Sequence, residues 1–282
     1  MKNYNELMAK VLDQGATSLD RTGVGTTSLF GEQLKFDLRN SFPAVTTKKL
    51  AWRAVVAELL WFIEGSRDER RLAEIQFGTT EESKKTIWTA NADADYWKDK
   101  AKFPGDLGRV YGVQWRQWQK PRNNGSVDQL TNLIEGLKKD PTGRRHIISA
   151  WNPGELDKMA LPPCHMMAQF YLRNNELSCQ MYQRSMDTYL GGPFNIASYS
   201  LLTHMIAQVC GLGVGEFIHV IGDAHIYLNH IEQVKEQLSR EPFPAPQLWL
   251  NPDISDITKF TMDDIKLLNY QSHPSLPAPM AV

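Results

Sequence analysis

The chain is poor in cysteine and has almost no excess of charge of either sign. Its three cysteines, Cys164, Cys179 and Cys210, have neither the number nor the spacing of a disulfide framework or a metal site. This excludes the disulfide-dense class of secreted domains and indicates a reducing compartment. With 31 basic and 32 acidic side chains, the formal net charge is −1. Bulk charge therefore gives no attraction to nucleic acid or to an anionic membrane, and a phosphate group would need a local cluster of cations.

Long apolar runs and low-complexity linkers are absent as well. No stretch approaches the ~18 consecutive apolar residues of a membrane span. The N-terminal segment MKNYNELMAKVLDQG lacks the apolar core of a signal peptide. We therefore expect a cytoplasmic protein, with neither a membrane nor nucleic acid as its primary ligand. Because no repeat or linker divides the sequence, residues 1–282 are predicted to form one domain.

Hydrophobic residues make up 42% of the chain, and their periodicity predicts both helices and strands. The predicted helices are one that begins near Tyr4 and ends at Gly15, and four at residues 51–63, 127–139, 195–210 and 226–239. The predicted strands cover residues 34–38, 145–151, 165–172, 177–184 and 217–221, with a hairpin turn at Asn174-Asn175. Because these elements do not alternate regularly, a Rossmann fold or a barrel is disfavoured. We predict an α+β domain in which helices pack on a large mixed central β-sheet.

Cys164 is the cysteine whose neighbours favour chemistry over packing. It lies in the segment LPPCH, where two prolines restrict the backbone before the thiol and a histidine follows it. A thiol is a good nucleophile as the thiolate, which a nearby cation stabilises. One alternative is a small buried side chain, the common role of a single cysteine. Another is a Cys–His hydrolase, which also needs an orienting group and an oxyanion hole.

Four arginines lie in segments that suit phosphate binding. Arg21 is part of a Gly/Thr-rich turn whose backbone N–H groups favour an anion. Arg144 and Arg145 are adjacent before a predicted strand, and Arg184 precedes Ser185 at the end of the predicted hairpin. An arginine fork binds phosphate in a bidentate way, and several that converge would neutralise a dianion. The alternative is that each of them is a solvated surface residue.

Glu58 is the only charged residue in the apolar helical segment AVVAELLWFI at residues 54–63. Such a carboxyl group either faces a polar cavity, where its pKa is raised, or faces solvent at the edge of the helix. We favour the cavity because the neighbouring side chains are apolar on all sides.

The segment GDAHIYLNH at residues 222–230 concentrates polar side chains in an apolar region. His225 and Asn229 have the spacing of one helical face, which would also suit metal ligation. No HExxH motif or carboxylate at ligand spacing accompanies them. We therefore predict hydrogen bonding to a polyhydroxyl ligand, and no metal.

The motifs that connect these segments run from the first helix to the last residues. They are DRTGVGT, FPAVTTKK, AELLWFIEG, GRVYGVQW, GRRHIISAWNP, LPPCH, YQRSMD, GPFNIASY, GDAHIYLNH and the terminal PMAV. In this order they resemble the thymidylate synthase family over nearly the whole chain. LPPCH followed by YQRS and FNIASY carries most of the specificity of the resemblance.

The resemblance implies reductive methylation of dUMP to dTMP by 5,10-methylenetetrahydrofolate, a co-substrate that leaves as dihydrofolate. Cys164 would add to C6 of the pyrimidine and make C5 nucleophilic. Glu58 would be the acid/base carboxylate, acting through ordered water with Tyr111 and His165 nearby. Asn195 would hydrogen-bond N3–H and O4 of uracil, and cytosine presents the opposite pattern.

The resemblance also implies an obligate homodimer in which a face of the sheet forms the interface. The dUMP phosphate would be bound by Arg21, Arg184 and Ser185, with Arg144 and Arg145 reaching across from the other subunit. His225 and Tyr227 would bind the 3′-hydroxyl group. The further nucleotide contacts implied by motif position are Gln183 and Asp187.

On the folate side, the resemblance implies that Asp187 contacts the pterin and that Lys48 meets the glutamate tail. Trp88 and Phe194 would flank the folate. The remaining residues implied on this side are Ile87, Gly191 and Ala281. The C-terminus would close over the site and exclude water.

Three residues depart from the family's usual pattern. Thr89 stands where aspartate is usual, Gly192 where leucine or valine is usual, and Ala168 where a bulkier residue is common. Some relatives in the family hydroxymethylate the pyrimidine, because water traps the methylene and tetrahydrofolate is released without oxidation. Smaller side chains near the methylene would admit that water. A dUMP 5-hydroxymethylase is therefore the alternative to the predicted methylation, whereas dCMP as substrate would require an acidic residue in place of Asn195.

Overall fold

The helices and strands of the computed structural model largely follow the hydrophobic periods of the sequence. The structure describes residues 1–19 and 23–280, apart from the side chain of Asn123. Within these residues the helices are α1 Lys2–Gln14, α2 Trp52–Glu64, α3 Glu69–Phe77, α4 Thr89–Ala92, α5 Tyr111–Arg116, α6 Gln129–Lys139, α7 Gly191–Val209 and α8 Ile231–Ser239. The strands are β1 Ala16–Ser18, β2 Thr26–Asp37, β3 Trp118–Gln119, β4 Ser126–Val127, β5 Ile147–Ser149, β6 His165–Arg173, β7 Glu176–Asp187, β8 Gly213–Tyr227, β9 Gln247–Leu250 and β10 Ile265–Leu268.

A six-stranded sheet with the strand order β1-β2-β8-β7-β6-β5 forms the centre of the molecule. β7 and β8 run parallel, and the other neighbouring pairs of this sheet are antiparallel. Two small two-stranded sheets, β3-β4 and β9-β10, are separate from it. The prediction of an α+β fold with a large mixed central sheet is confirmed.

The apolar helix α7 packs on β7 and β8 of this sheet, α2 packs on α7, and the two helices contain much of the core. In α2 every residue from Val55 to Ile63 is buried, and α7 is buried along most of its length. Helix α5 packs closely on α2 at Gly112, where a Cβ atom would lie 2.5 Å from the carbonyl oxygen of Phe62. This approach, which only glycine permits, holds the adjacent Tyr111 beside the helix that carries Glu58. Among the described residues no helix is both long and apolar enough to cross a bilayer.

The β6-β7 hairpin and the helix at residues 52–64 agree closely with the sequence predictions. Asn174 and Asn175 have φ angles of 52° and 61°, as a tight hairpin turn requires. Gly65 ends α2 in the left-handed conformation with φ 71°. Gly15 ends α1 for a different reason: its φ is −69°, and a Cβ atom would lie 2.4 Å from the carbonyl oxygen of Val11.

Two predicted elements near residues 217–239 are present but had the wrong bounds. The predicted short strand 217–221 is the long strand β8, and the predicted helix 226–239 begins only at Ile231. The reason is that β8 pairs with β2 as far as Tyr227 and with β7 as far as His225, so the ladder continues through Gly222 and Asp223. Helix α7 also begins four residues before the predicted Asn195.

Candidate active site

Cys164 lies immediately before β6, at the sheet's junction with α5. Its backbone N–H donates to the Tyr111 hydroxyl oxygen at 2.8 Å, and its carbonyl accepts from the Arg184 backbone N–H at 2.8 Å. The side chain is half-buried. The backbone of Cys164 is thus held on both sides while its thiol remains accessible.

The guanidinium of Arg184 is fixed next to the thiol by the two prolines of LPPCH. Its Nε donates to the Pro163 carbonyl and its Nη2 to the Pro162 carbonyl, both at 2.9 Å, and Nη2 lies 3.8 Å from Cys164 Sγ. A cation at this position stabilises a thiolate. Arg184 Nη1 has no hydrogen-bond partner among the described residues, so it remains available to an anion.

Glu58 points into the protein from α2 and is only 5% exposed. Its Oε1 accepts a hydrogen bond from Trp88 Nε1 at 2.7 Å. Burial raises the pKa of Glu58 from 4.5 to about 7, and the bond from Trp88 offsets part of that rise. A carboxyl group with this pKa exchanges a proton readily near neutral pH.

Tyr111, His165 and Tyr199 are buried aromatic side chains that lie between Trp88 and Cys164. The rings of Tyr111 and His165 stack with centroids 4.1 Å apart, and Trp88 meets Tyr111 edge-on at 5.8 Å. The Tyr199 hydroxyl lies 2.8 Å from His165 Nδ1. Burial lowers the pKa of His165 to about 3, so the imidazole is neutral at physiological pH.

Asn195 is presented toward the site from the second turn of α7. Its Oδ1 accepts from Gln183 Nε2 at 3.0 Å, and Gln183 Oε1 lies 2.9 Å from His219 Nε2. Gln183 is buried and Asn195 is half-buried, so this amide pair connects the interior of the sheet to the more exposed side chain of Asn195.

The parallel pairing of β7 and β8 places the other polar groups side by side. Ser185 is opposite Asp223, and Asp187 is opposite His225. His225 Nδ1 is 3.4 Å from Asp223 Oδ2, but the groups are not aligned as a hydrogen bond. The rings of His225 and Tyr227 meet edge-on at 5.1 Å.

The helical spacing predicted for His225 and Asn229 was wrong. His225 belongs to β8, and Asn229 lies in a short 3₁₀ turn at Leu228–His230. In the described part of the chain no group of three His, Cys, Asp or Glu side chains is arranged to hold a metal ion.

Lys48 and Asp187 flank the start of α7. Lys48 is 7% exposed; its Nζ donates to the Tyr189 carbonyl and lies 3.5 Å from the centre of the Tyr189 ring. Burial lowers the pKa of Lys48 to about 7, and the charge of Asp187 opposes this. Asp187 Oδ1 accepts from the N–H groups of Tyr189 and Leu190.

The remaining residues implied on this side are divided between the interior and the surface. Trp88 and Phe194 are buried, Gly191 is half-buried, and Ile87 is 41% exposed.

Arg144 and Arg145 are exposed and lie away from Cys164. The carbonyl of the next residue, His146, accepts from the Phe170 N–H, five residues along β6 from His165. At about 3.3 Å per residue, Arg145 therefore begins roughly 15–20 Å from Cys164, beyond the reach of its side chain. Arg21 and Ala281, also implied by the resemblance, lie outside the described residues.

A family model described as thymidylate synthase matches residues 2–282. The chain belongs to the thymidylate synthase family. Members of this family carry out a folate-dependent one-carbon transfer to dUMP, with methylenetetrahydrofolate as the co-substrate. The chain is accordingly a methyltransferase at the level of the family.

The three residues that depart from the family pattern have the following neighbours in the described part of the chain. Thr89 donates from Oγ1 to Glu69 Oε1 at 2.5 Å and accepts from the Thr86 backbone N–H at 2.9 Å. Ala168 is fully buried in β6, between Ile148 and Met181 in the register. A Cβ atom at Gly192 would point toward Met186 Sδ at 3.4 Å and the ring of Tyr4 at 3.5 Å.

Sequence reasoning missed several residues that hold the family's motif residues in place. Tyr199 follows Asn195 by one helical turn, and that spacing is a usable signal. His219 is two residues from each of the buried Phe217 and Ile221 and shares their face of β8. A polar side chain on the inward face of this strand could therefore be recognised from the sequence. Glu69 had no such signal, because the two hydroxyl groups that donate to it, those of Thr86 and Thr89, come from a later segment of the chain.

Proposed function

We propose that this protein transfers the one-carbon unit of 5,10-methylenetetrahydrofolate to C5 of dUMP and reduces it, giving dTMP and dihydrofolate. The observation that carries the proposal is the pairing of the half-buried Cys164 thiol with the fixed guanidinium of Arg184. Tyr111 and Trp88 connect Cys164 to the buried carboxyl group of Glu58. A nucleophile and an acid/base group thus belong to one connected set of side chains.

The first step is attack of the Cys164 thiolate on C6 of the pyrimidine. The new S–C6 bond uses the sulfur electron pair, and the π-electrons of C5–C6 move toward C5 and the O4 carbonyl. C5 becomes an enolate carbon that can accept the one-carbon unit. Arg184 favours this step because its guanidinium stabilises the thiolate before attack.

Proton transfers on the pyrimidine are assigned to Glu58. With a pKa of about 7, its carboxyl group can donate a proton to O4 and later help to remove the proton from C5 through water. Tyr111 uses its hydroxyl oxygen to accept from the Cys164 N–H, which leaves its own O–H to donate. His165 is neutral and orders the water network.

Base and phosphate recognition follow from the same elements. Asn195 reads N3–H and O4 of uracil, and Ser185 with the open Nη1 of Arg184 binds the phosphate. Arg21 is assigned to the phosphate from its motif alone. His225 and Tyr227, side by side at the end of β8, bind the 3′-hydroxyl group.

The folate supplies a one-carbon unit and a hydride when it is bound. The residues around the start of α7 fit such a molecule, because Asp187 Oδ2 has no partner in the described part of the chain and can accept from a pterin N–H. The Lys48 ammonium group donates to the Tyr189 carbonyl, and it can bind a carboxylate of the folate once that hydrogen bond is broken. Gly191 and the rings of Trp88 and Phe194 bound this region, and Ile87 and Ala281 are assigned to it by motif position.

The directions of the three departures support methylation over hydroxymethylation. Thr89 is bound to Glu69, Ala168 lies in the core, and the missing side chain of Gly192 would point at Tyr4 and Met186. None of these smaller side chains enlarges the region around Cys164. They therefore provide no additional path for water to reach the methylene.

Incubation with dUMP and methylenetetrahydrofolate tests the proposed reaction. We expect dihydrofolate absorbance to increase in a 1:1 ratio with dTMP. Formation of 5-hydroxymethyl-dUMP without dihydrofolate would instead identify the hydroxymethylase. The Cys164→Ala variant should lose turnover and retain dUMP binding, and Cys179→Ala is the matched control that should remain active.

We also propose that the protein acts as a homodimer. Each subunit is one catalytic domain of 282 residues, and each active site contains residues of both subunits. Arg144 and Arg145 lie too far from their own Cys164, and the uncovered face of the sheet exposes apolar side chains such as Tyr171 (54% exposed). Both features are accounted for if a second copy covers this face and receives the two arginines.

Subunit complementation tests the shared site. The Cys164→Ala and Arg145→Ala variants should each be nearly inactive, and an equal mixture that exchanges subunits should regain about one quarter of the wild-type activity. No recovery, with exchange demonstrated by differently tagged subunits, would contradict the shared site. A cytoplasmic location, and the absence of nucleic acid as a primary ligand, remain predictions from the sequence.

A further inference from the structure

His219 lies on the inward face of β8, between the buried residues Phe217 and Ile221, and is 0% exposed. Its Nε2 is 2.9 Å from Gln183 Oε1 on the neighbouring strand β7. Its Nδ1 is buried and has no hydrogen-bond partner in the described part of the chain. Among the described residues, the ring therefore makes its one hydrogen bond through Nε2.

The direction of the Gln183 amide identifies which group donates in this bond. Gln183 Nε2 is 2.9 Å from the Ser185 carbonyl, which can only accept. The nitrogen of the amide must therefore face Ser185, and its oxygen must face His219. It follows that His219 Nε2 carries a proton and donates it, with Nδ1 as the unprotonated nitrogen. Burial lowers the pKa of His219 to about 3, which agrees with a neutral ring that carries one proton.

The same reasoning extends to Asn195. The second N–H of Gln183 Nε2 points to Asn195 at 3.0 Å, so the Asn195 atom at that position must be the acceptor Oδ1. Asn195 Nδ2 is consequently directed elsewhere. The amide then offers one remaining lone pair on Oδ1 and the N–H groups of Nδ2, which is the pattern that complements N3–H and O4 of uracil.

A reversed Asn195 amide would offer the opposite pattern. Its donor and acceptor would be exchanged, and it would complement N3 and the N4 amino group of cytosine. Asn195 cannot prevent this reversal by itself, because the two ends of an amide have nearly the same shape. The choice between the two orientations is made by the groups behind it.

We infer that His219 is a positioning residue for nucleotide specificity: its Nε2–H, relayed through Gln183, fixes the amide of Asn195 in the orientation that favours uracil over cytosine. The inference rests on the proposed function, in which dUMP is the substrate and Asn195 contacts its base. It adds a residue that touches neither the nucleotide nor the folate.

Two substitutions separate the donor from the shape of the ring. His219→Gln retains an N–H donor at a similar distance from Cα, and His219→Met has a similar volume without a donor. Calorimetry would measure the dissociation constants of dUMP, dCMP and 2-deoxyribose 5-phosphate, the last of which reports on the phosphate and sugar contacts alone.

For His219→Met we expect the preference for dUMP over dCMP to fall about 10-fold. Gln183 Oε1 loses its donor, so the Gln183 and Asn195 amides are held less firmly in one orientation. Binding of 2-deoxyribose 5-phosphate should stay within about twofold, and His219→Gln should keep most of the preference for dUMP. A merely structural role would weaken all three ligands together.

Unchanged discrimination in His219→Met, or an equal loss in both variants, would overturn the inference. Absence of any preference for dUMP in the wild-type protein would overturn the proposed function instead. If His219→Met does not fold, the nitrogen resonances of the wild-type imidazole still decide: the Nε2–H tautomer is expected between pH 6 and 9, and an Nδ1–H tautomer would contradict the relay.

Discussion

Two buried glutamates, Glu58 in α2 and Glu69 at the start of α3, lie in different surroundings although α2 and α3 are in contact. Their exposed fractions are similar, 5% and 2%. Glu58 accepts one hydrogen bond from the described residues, from Trp88. Glu69 accepts two from the guanidinium of Arg70 and one from each of the Thr86 and Thr89 hydroxyls, at 2.5–2.6 Å.

The difference shows that two carboxyl groups buried to a similar extent can receive very different numbers of hydrogen-bond donors. A buried negative charge is costly unless donors replace the lost water. A cation and two hydroxyls surround Glu69, and one indole N–H serves Glu58, whose pKa rises to about 7. The two residues are also connected, because Thr86 Oγ1 accepts from the backbone N–H of Trp88, the donor to Glu58. Glu69 therefore stabilises the loop that positions the acid/base group.

The largest effect is expected for the chemistry of Glu58. Glu58→Gln keeps the shape of the side chain but removes its acid/base function, so kcat should fall by about 10²–10⁴-fold. Binding of dUMP should change little, as measured by calorimetry beside steady-state rates. Glu64→Gln, on the exposed end of the same helix, is the control and should retain activity. A loss of kcat no larger than in the control would remove Glu58 from the mechanism.

Removal of the charge of Glu69 should affect stability more than chemistry. Glu69→Gln leaves Arg70 without its carboxylate partner, and we expect the free energy of unfolding in urea to decrease by about 3–5 kcal/mol. Glu74→Gln removes an exposed partner of Arg71 and should cost no more than about 1 kcal/mol. Equal losses in the two variants would mean that the donors around Glu69 contribute little.

The raised pKa of Glu58 predicts a specific dependence of stability on pH. Between pH 4.5 and 7 the unfolded chain has released the Glu58 proton and the folded protein retains it, so the unfolding free energy falls as pH rises. The total loss by pH 8 is about 3 kcal/mol. Glu58→Gln should remove this slope. The difference between the wild-type and variant plots of unfolding free energy against pH separates the contribution of Glu58 from that of the buried histidines. If the unfolding free energies of the two proteins changed with pH in parallel, the raised pKa of Glu58 would be contradicted.

The smallest effect is expected at Thr89, where the two regions meet. Thr89→Val removes the hydroxyl that donates to Glu69 and accepts from the Thr86 N–H. This should lower the free energy of unfolding by about 1–2 kcal/mol. Activity should fall only a few-fold, through a less ordered Trp88, as measured by kcat and indole fluorescence. Thr80→Val, at an exposed position of the loop between α3 and α4, should change neither kcat nor the free energy of unfolding.

Several parts of the fold and the site follow from local sequence patterns. The apolar period around Glu58 predicted a buried helix, the Asn174-Asn175 pair predicted the hairpin, and the prolines of LPPCH predicted a restricted backbone at Cys164. The limits of β8 could not be predicted, because a strand that contains Gly222 and Asp223 is maintained by its two neighbours and not by its own propensity. The family pattern marked Thr89 as unusual, but it could not indicate Glu69 as its partner.

The sequence by itself determined the α+β class, the family and the identity of the residues that carry the proposed chemistry, because these depend on periodicity and on motifs a few residues long. The tertiary structure alone decided that the pKa of Glu58 is raised, which carbonyls hold Arg184 at the thiol, and which ring nitrogen of His219 donates to Gln183. Those properties depend on the number and direction of hydrogen-bond donors from distant segments, and only folding brings these donors together.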